Sequence, residues 1–405
     1  MGKFTDKDQF RRIFSLGVML FSGIGFHIFQ FGASLLVWMA IIFILNFKSI
    51  LKIPVRAWIG ISIFIFIFIL VFLIKGATVP FFVIVAMISA LFTLSNYFKN
   101  NDLFFSDFSK LLQFYMYYAL VAIPIMLFGT RLFNIVLLDF SEYNTFFYLF
   151  WFHDNGGPSF FHGFRPSGLT WEAGIWQLFL NLNILFALYE NRSIKKIFLA
   201  IVASIAVFST TGIIIMCFVL LLYFFFIKKN KISLKKIIIP LIIIISISYP
   251  FLIDNLREKL VGDHSGSGMT RVADTFTGIK LLTEYPFFGA DIELATATNN
   301  PLIWVIKESF WKGNYSDGSF EGYMTVSNSN GIIIFLLDWG MPFGLYLLYR
   351  SLRSNLFVDK RFSVVFMLTV YFSMFSEAIS RTSFFYFFVF SVFLLTSNKN
   401  ISYEE

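Results

Sequence analysis

Residues 197–227 read IFLAIVASIAVFSTTGIIIMCFVLLLYFFFI, thirty-one residues that are almost wholly apolar except where Ser209, Thr210, Thr211 and Gly212 gather near the middle. As one helix this run would be about 46 Å long, well beyond a hydrocarbon core of about 30 Å. Two readings are open: an over-long single helix, or a hairpin of two short helices hinged at the polar patch. The choice sets the side of everything that follows. A hairpin returns Lys228, Lys229, Lys231, Lys235 and Lys236 to the side of Arg192, Lys195 and Lys196, and puts residues 254–330 opposite; a single helix reverses both. Cytoplasmic loops of membrane proteins carry an excess of Lys and Arg, so charge favours the hairpin.

The same reasoning orders the rest of the chain. Residues 13–47 would make a helix of about 52 Å, so a turn near residues 27–32 divides them into two spans. Further apolar runs lie at 58–74, from Pro80 to about residue 97, 111–129, 170–189, 237–253, 331–349, 363–379 and 383–395. The expected fold class is therefore an all-α integral membrane protein of about twelve helices with both termini cytoplasmic. It forms a single polytopic domain over residues 1–405, with large outer loops at 130–169 and 254–330.

Composition supports the bilayer as solvent: 58% of residues are hydrophobic, 20% aromatic and 14% charged, with a mean hydropathy of +0.76. A soluble domain carries roughly a quarter charged residues. The net charge of +8 does not point to nucleic acid, because the basic residues sit in short clusters between apolar runs, where the inside-positive bias accounts for them. Lys3, Lys7, Arg11 and Arg12 ahead of an apolar stretch superficially match a signal peptide, but no A-x-A site follows, and the stretch reads as retained helices. The one cysteine, Cys217, lies in an apolar run, so no intrachain disulfide or thiolate metal site is expected. There is no Gly-rich phosphate loop, no internal repeat and no cofactor-binding segment.

Chemistry must then come from charged residues where outer loops meet helices. The first cluster is GFRPSGLTWEAG, residues 163–174. Arg165, held by Pro166 and Gly168 beside a helix N-terminus, suits an anion, because the guanidinium forks onto a phosphate and free backbone N–H groups add to it. The structural alternative has Arg165 reaching to lipid headgroups and Glu172, in the first turn of the helix, complementing its dipole. The second cluster, residues 270–291, places Val272, Phe276, Ile279 and Leu281 or Leu282 at helical spacing with Arg271 leading. This reads as an amphipathic helix on the membrane face, ended by Pro286 and Gly289. The third is SNSNGIIIFLLDWGMPFG, residues 327–344, which puts Asp338 inside a span. There it is either a functional group or, near the inner end, a structural partner of Arg350. His153, His162 and His264 fall in outer loops, where scattered histidines are more often polar surface than metal ligands.

Taken together the clusters resemble the O-antigen polymerase and ligase superfamily of envelope glycosyltransferases, over about residues 163–344. The resemblance rests on Arg165 with Gly168 and Glu172; on Arg271 with Pro286 and Gly289; and on Asn330 ahead of Gly340. Ligases of that superfamily resemble one another in a His just before the Asn, where this chain has Ser329, and the Gly340 to Gly344 spacing also departs from the ligase pattern. Both departures favour the polymerase, or Wzy-type, branch. The resemblance implies a GT-C-like glycosyltransferase of the bacterial inner membrane that polymerises undecaprenyl-diphosphate-linked O-antigen or capsular repeat units, without a cofactor or metal. It implies Arg165 and Arg271 as the residues that stabilise the leaving diphosphate and Glu172 as the base, with Glu321 and Asp317 behind it. Arg381, alone at the outer end of its helix, and Asn330 are further substrate contacts. Trp304, Trp311, Tyr315 and Tyr323 would stack on sugars. Its expected partners are the lipid-linked oligosaccharides, the bilayer and a chain-length regulator protein, and no nucleic acid. Two alternatives stand: a ligase or oligosaccharyltransferase, and a transporter of the lipid-linked glycan. Transporters usually break helices at the midplane of repeated halves, whereas this chain concentrates its polar residues in unequal outer loops.

Overall fold

The computed structural model describes residues 6–24, 31–138, 141–153, 164–168, 170, 172–227, 265–291 and 330–395. They are predominantly helical: α1 Asp6–Ile24, α2 Phe31–Ile50, α3 Val55–Ile74, α4 Phe81–Leu94, α5 Asp102–Phe128, α6 Ala173–Tyr189, α7 Ile194–Ile205, α8 Thr210–Leu222, α9 Ser265–Glu284, α10 Gly331–Trp339, α11 Met341–Ser351, α12 Lys360–Met374 and α13 Ser383–Leu394. Among the described residues three helices are long and apolar enough to cross a membrane, Val55–Ile74, Asp102–Phe128 and Thr210–Ile227, and several shorter ones are equally apolar.

The surface of α3 is compatible with a lipid environment. Ile59, Ile63, Phe66, Leu70 and Leu73 recur every three or four residues and are all exposed, while Ala57, Ile61, Phe68, Val71 and Phe72 on other faces are buried. A continuous exposed apolar stripe of this kind is compatible with a membrane protein and costly for a face in water.

Residues 197–227 form two helices. The chain breaks after α7, Phe208 takes a positive φ of 54°, and the Ser209 side chain accepts from the Gly212 amide at 3.3 Å to cap α8. Asn181 of α6 ties the hairpin in place, donating to the Gly212 carbonyl at 2.9 Å and accepting from Ser204 Oγ at 2.8 Å. A side chain at Gly212 would collide with the Gln177 amide. Polar side chains joining helices in this way serve where the hydrophobic effect no longer separates protein from solvent.

Among the described residues, the basic groups near the ends of α1, α6 and α12 lie at one end of the bundle. There Arg12 pairs with buried Asp107 at 2.6 Å, Arg192 with Glu190 at 2.5 Å, and Asp359 caps α12 while accepting from the Tyr189 hydroxyl at 3.2 Å. Elsewhere the residue after α3, Lys75, and the short 3-10 turn Ile379–Arg381 both meet the C-terminal end of α10, while Glu377 lies against the N-terminal ends of α6 and α10.

Three expectations change. The fold is not all-α: residues of the first outer loop form an antiparallel sheet of β1 Phe133–Leu138, β2 Ser141–Phe146, β3 Phe150–His153 and β4 Arg165–Gly168, in that order. Pairing satisfies the backbone groups of an otherwise irregular segment, and Phe133 stacks on Phe152 with centroids 4.8 Å apart. The sheet docks on α5, where Ala122, Met126, Phe152 and Phe208 make a small second core. Secondly, residues 331–349 are not one span but α10 and α11, divided at Gly340. Thirdly, α6 starts at Ala173, so Glu172 is its N-cap residue rather than a member of its first turn. The basic run 228–236 and the expected span 237–253 lie outside the described residues.

Candidate functional site

The division at Gly340 follows from three consecutive residues. Pro342 has no N–H and a ring that clashes with a continuing helix. The Met341 amide donates to the Pro286 carbonyl at 2.8 Å instead of to its own helix. Gly340 itself adopts a φ of 75°, where a Cβ would be strained and would also strike the Phe287 carbonyl. The carbonyls of Leu337 and Asp338 thereby lose the partners that an unbroken helix would supply. Lys75, just past the end of α3, replaces them: its ammonium donates to Leu337 O at 2.5 Å and to Asp338 O at 2.9 Å. A cation at a helix C-terminus is also favoured by the helix dipole.

The turn after α9 meets this break reciprocally. Gly289, at a φ of 73°, lies so close to the Leu337 carbonyl that a Cβ would collide with it, as one at Gly340 would with Phe287. The Pro286 to Gly289 segment and the Asn330 to Gly340 segment, separate in sequence, are therefore interlocked.

Arg381 is not alone. It grips Asp338 with two hydrogen bonds, Nε to Oδ2 at 2.8 Å and Nη2 to Oδ1 at 2.6 Å. Asp338 thus pairs with Arg381 rather than with Arg350, whose guanidinium rests on Tyr346 and Phe393. Burial pulls against the charge on Arg381, and the Asp338 carboxylate outweighs it, so its pKa is raised. Burial is also the largest influence on Lys75, pushing it down to about 8 against the opposing pull of the Asp338 carboxylate; Arg381 lowers it further and Asp291 raises it.

Arg165 opens β4, opposite His153. Pro166, Ser167 and Gly168 are buried behind it, and Gly168, at a φ of 65°, packs so tightly on Trp176 that a side chain there would overlap the indole. The Nε of Arg165 is buried and has no hydrogen-bond partner among the described residues. A buried guanidinium N–H without an acceptor is costly, so this is a group suited to an incoming oxyanion. Glu172 is half-buried, and its carboxylate forms no capping bond to α6.

The first and third clusters meet through Glu377, a residue that the sequence reading passed over. Its carboxylate abuts Gly174 in the first turn of α6, and its backbone carbonyl abuts Gly331 at the start of α10; a Cβ at either glycine would collide. Asn330 is committed to its own helix, accepting from the amides of Ile332 and Ile333 at 3.2 Å each. Arg271 lies within α9, six residues after its start, rather than ahead of it, and only its backbone is described. Of the apolar residues expected to share one face of α9, Leu281 and Leu282 are buried while Phe276 and Ile279 are exposed. Glu321, Asp317, His162, His264, Ser329, Trp304, Trp311, Tyr315 and Tyr323 lie outside the described residues. Lys75 was also missed, although a lone lysine between two apolar runs is itself a signal. No group of three or more potential metal ligands occurs among the described residues.

Comparison with known proteins finds no matching family model, no similar curated protein and no similar solved structure.

Proposed function

We propose that this chain is a glycosyltransferase of the bacterial inner membrane that polymerises undecaprenyl-diphosphate-linked O-antigen or capsular repeat units at the periplasmic face. A hydroxyl of one lipid-linked oligosaccharide attacks the anomeric carbon of the other, and the glycosidic bond forms as the bond to the lipid diphosphate breaks. Arg165 and Arg271 stabilise the negative charge that develops on the leaving diphosphate, and Glu172 takes the proton of the attacking hydroxyl. Arg381, already neutralised by Asp338, has a positioning role in this scheme.

The observation that carries the reading is convergence. Three clusters chosen for their chemistry, at residues 163–174, 270–291 and 327–344, are joined by glycine contacts through Glu377 and through the Gly289 and Gly340 interlock. Ordinary helix packing does not require loop motifs so far apart in sequence to meet at close backbone approach. The buried Nε of Arg165, which has no partner among the described residues, adds a contact suited to an anion.

The test is complementation of a polymerase-deleted strain with wild-type, Arg165→Ala and Arg271→Ala proteins at matched expression, reading the glycan ladder on a gel. A multi-repeat ladder from wild type and single-repeat species from both variants is the expected result. An unchanged ladder after deletion of the gene sinks the function, and an unchanged ladder in a variant sinks that residue. Transfer of the glycan to lipid A core or protein in a defined assay would favour the ligase reading instead. One observation favours a transporter: α10 and α11 are a broken apolar segment with a buried ion pair at the break. Net movement of the lipid-linked glycan across proteoliposomes without turnover would establish that alternative.

A further inference from the structure

Beside the interlock, between the end of α3 and the turn after α9, lies an open cleft of about 520 Å³ lined by Ile74, Lys75 and residues 284–291. That volume falls within the roughly 300–1,000 Å³ of small-molecule sites. Its walls hold three aromatic rings, Tyr285, Phe287 and Phe288, exposed by 55%, 72% and 48%. Its charged groups among the described residues are Lys75, Glu284 and Asp291, and Tyr285 adds a hydroxyl.

We propose that this cleft is a saccharide-binding subsite that holds sugar residues of the acceptor chain; the assignment to an acceptor rests on the glycosyltransferase reading above.

Charge decides the class of ligand. A diphosphate needs surplus positive charge, and the described residues that line the cleft supply none: one lysine faces two carboxylates. Arg381, next to it, is matched by Asp338. Asp291 favours the charged forms of both Lys75 and Arg381, and Glu284 adds a second carboxylate, only loosely paired with exposed Lys280 at 3.7 Å. A neutral sugar meets the opposite conditions. Each hydroxyl both donates and accepts, so it uses carboxylates and an ammonium in the same site. Lys75 has three N–H donors, of which the carbonyls of Leu337 and Asp338 take two; the ammonium also lies 4.5 Å from the Phe72 ring centroid, a weaker contact that a ligand oxygen can replace. The rings supply flat apolar surfaces for the C–H faces of a pyranose, which an aromatic face with its partial negative charge attracts.

The position also fits the reaction. The cleft is bounded by the Pro286 to Gly289 turn, which the Gly289 and Gly340 contacts lock to α10, and α10 runs back to Gly331 and Glu377. A chain held here is anchored on rigid backbone rather than on a free loop.

The experiment uses the full chain in lipid nanodiscs and two probes: the repeat-unit oligosaccharide released by mild acid from the source strain's own surface glycan, and geranyl phosphate as a short lipid phosphate. Saturation-transfer NMR and titration are run on wild type, Tyr285→Ala, Phe288→Ala, Phe288→Tyr, Asp291→Asn and Arg165→Ala. Sugar ring protons should receive saturation, and the two alanine variants and Asp291→Asn should each weaken oligosaccharide binding by about tenfold, or about 1.4 kcal/mol. Phe288→Tyr and Arg165→Ala should bind as wild type does. Because Tyr285 and Phe288 are exposed, their replacement leaves the core intact, and thermal midpoints check this. Equal oligosaccharide binding by all variants overturns the subsite, as does geranyl phosphate, rather than sugar, depending on Phe288 and Asp291. If sugar binding behaves as expected while deletion of the gene leaves the glycan ladder unchanged, the cleft stands and the polymerase reading falls; if the ladder requires the protein and the sugar ignores the cleft, the reverse holds.

Discussion

At the scale of single residues, the group that most constrains its neighbours is Asp338. Its side chain is 2% exposed and its charge is answered by Arg381, itself 32% exposed. Breaking a buried pair by removing one partner strands the other charge and costs about 3–5 kcal/mol, with the partial exposure of Arg381 placing this site toward the lower end. Arg381→Ala should therefore lower the thermal midpoint in detergent sharply. The double variant Asp338→Leu, Arg381→Leu should recover part of the loss, since neither partner of the pair is stranded although Lys75 loses the support of the Asp338 carboxylate; no recovery would mean that the pair contributes more than mutual neutralisation. Lys75 gives a pH signature. Its amine is held at about 8 by burial, against an ordinary 10.5. Between those values the folded chain binds fewer protons at Lys75 than the unfolded chain, so this residue's contribution to stability rises with pH across that window. Thermal midpoints of wild type relative to Lys75→Met, followed from pH 7 to 10.5, should climb above pH 8; a flat difference would contradict the assignment.

At the scale of elements, the decisive feature is the break between α10 and α11. Gly340 and Gly289 both occupy left-handed backbone and both face a carbonyl of the other segment. Gly340→Ala and Gly289→Ala should each cost about 1–3 kcal/mol from backbone strain alone, and more from the collision. Measured unfolding midpoints should fall by similar amounts in the two variants, and the double variant should cost less than the sum, because one displaced turn relieves both contacts. The break was legible in the residues: Gly340 and Pro342 interrupt an apolar run, and hydropathy alone reads through them because both are compatible with an apolar window. The sheet was hidden for a related reason. Strands of four to six residues, three of them carrying Phe, Trp or Tyr, sit in a segment whose polar and glycine content reads as loop, and only pairing across β1 to β4 shows their register.

At the scale of the whole molecule, the charge clusters and the candidate site occupy opposite ends of the bundle, which predicts a sidedness. With Cys217→Ser as background, Ser193→Cys at the basic end should react with a membrane-impermeant maleimide only after the cells are opened, and Lys280→Cys at the site end should react on the periplasmic face of intact spheroplasts. Labelling of both from the same side would overturn the topology. Hydropathy and the distribution of Lys and Arg were enough to read the helical, membrane-compatible character of this chain and the hairpin at residues 197–227, because apolar content and charge bias are summed along a one-dimensional chain and need no knowledge of neighbours. The sequence also drew attention to Arg165, Glu172, Arg381 and the two Pro and Gly turns, which the structure places at the ends of strands and helices. Pairing was out of its reach. Lys75 and Leu337 are 262 positions apart, and nothing local to either says that one ammonium will satisfy the carbonyls that Met341 and Pro342 leave bare. That Asp338 takes Arg381 rather than Arg350, and that Glu377 joins the starts of α6 and α10, depends on which helix ends the packing brings together, since a buried polar group is satisfied by whatever partner the fold delivers within hydrogen-bond reach.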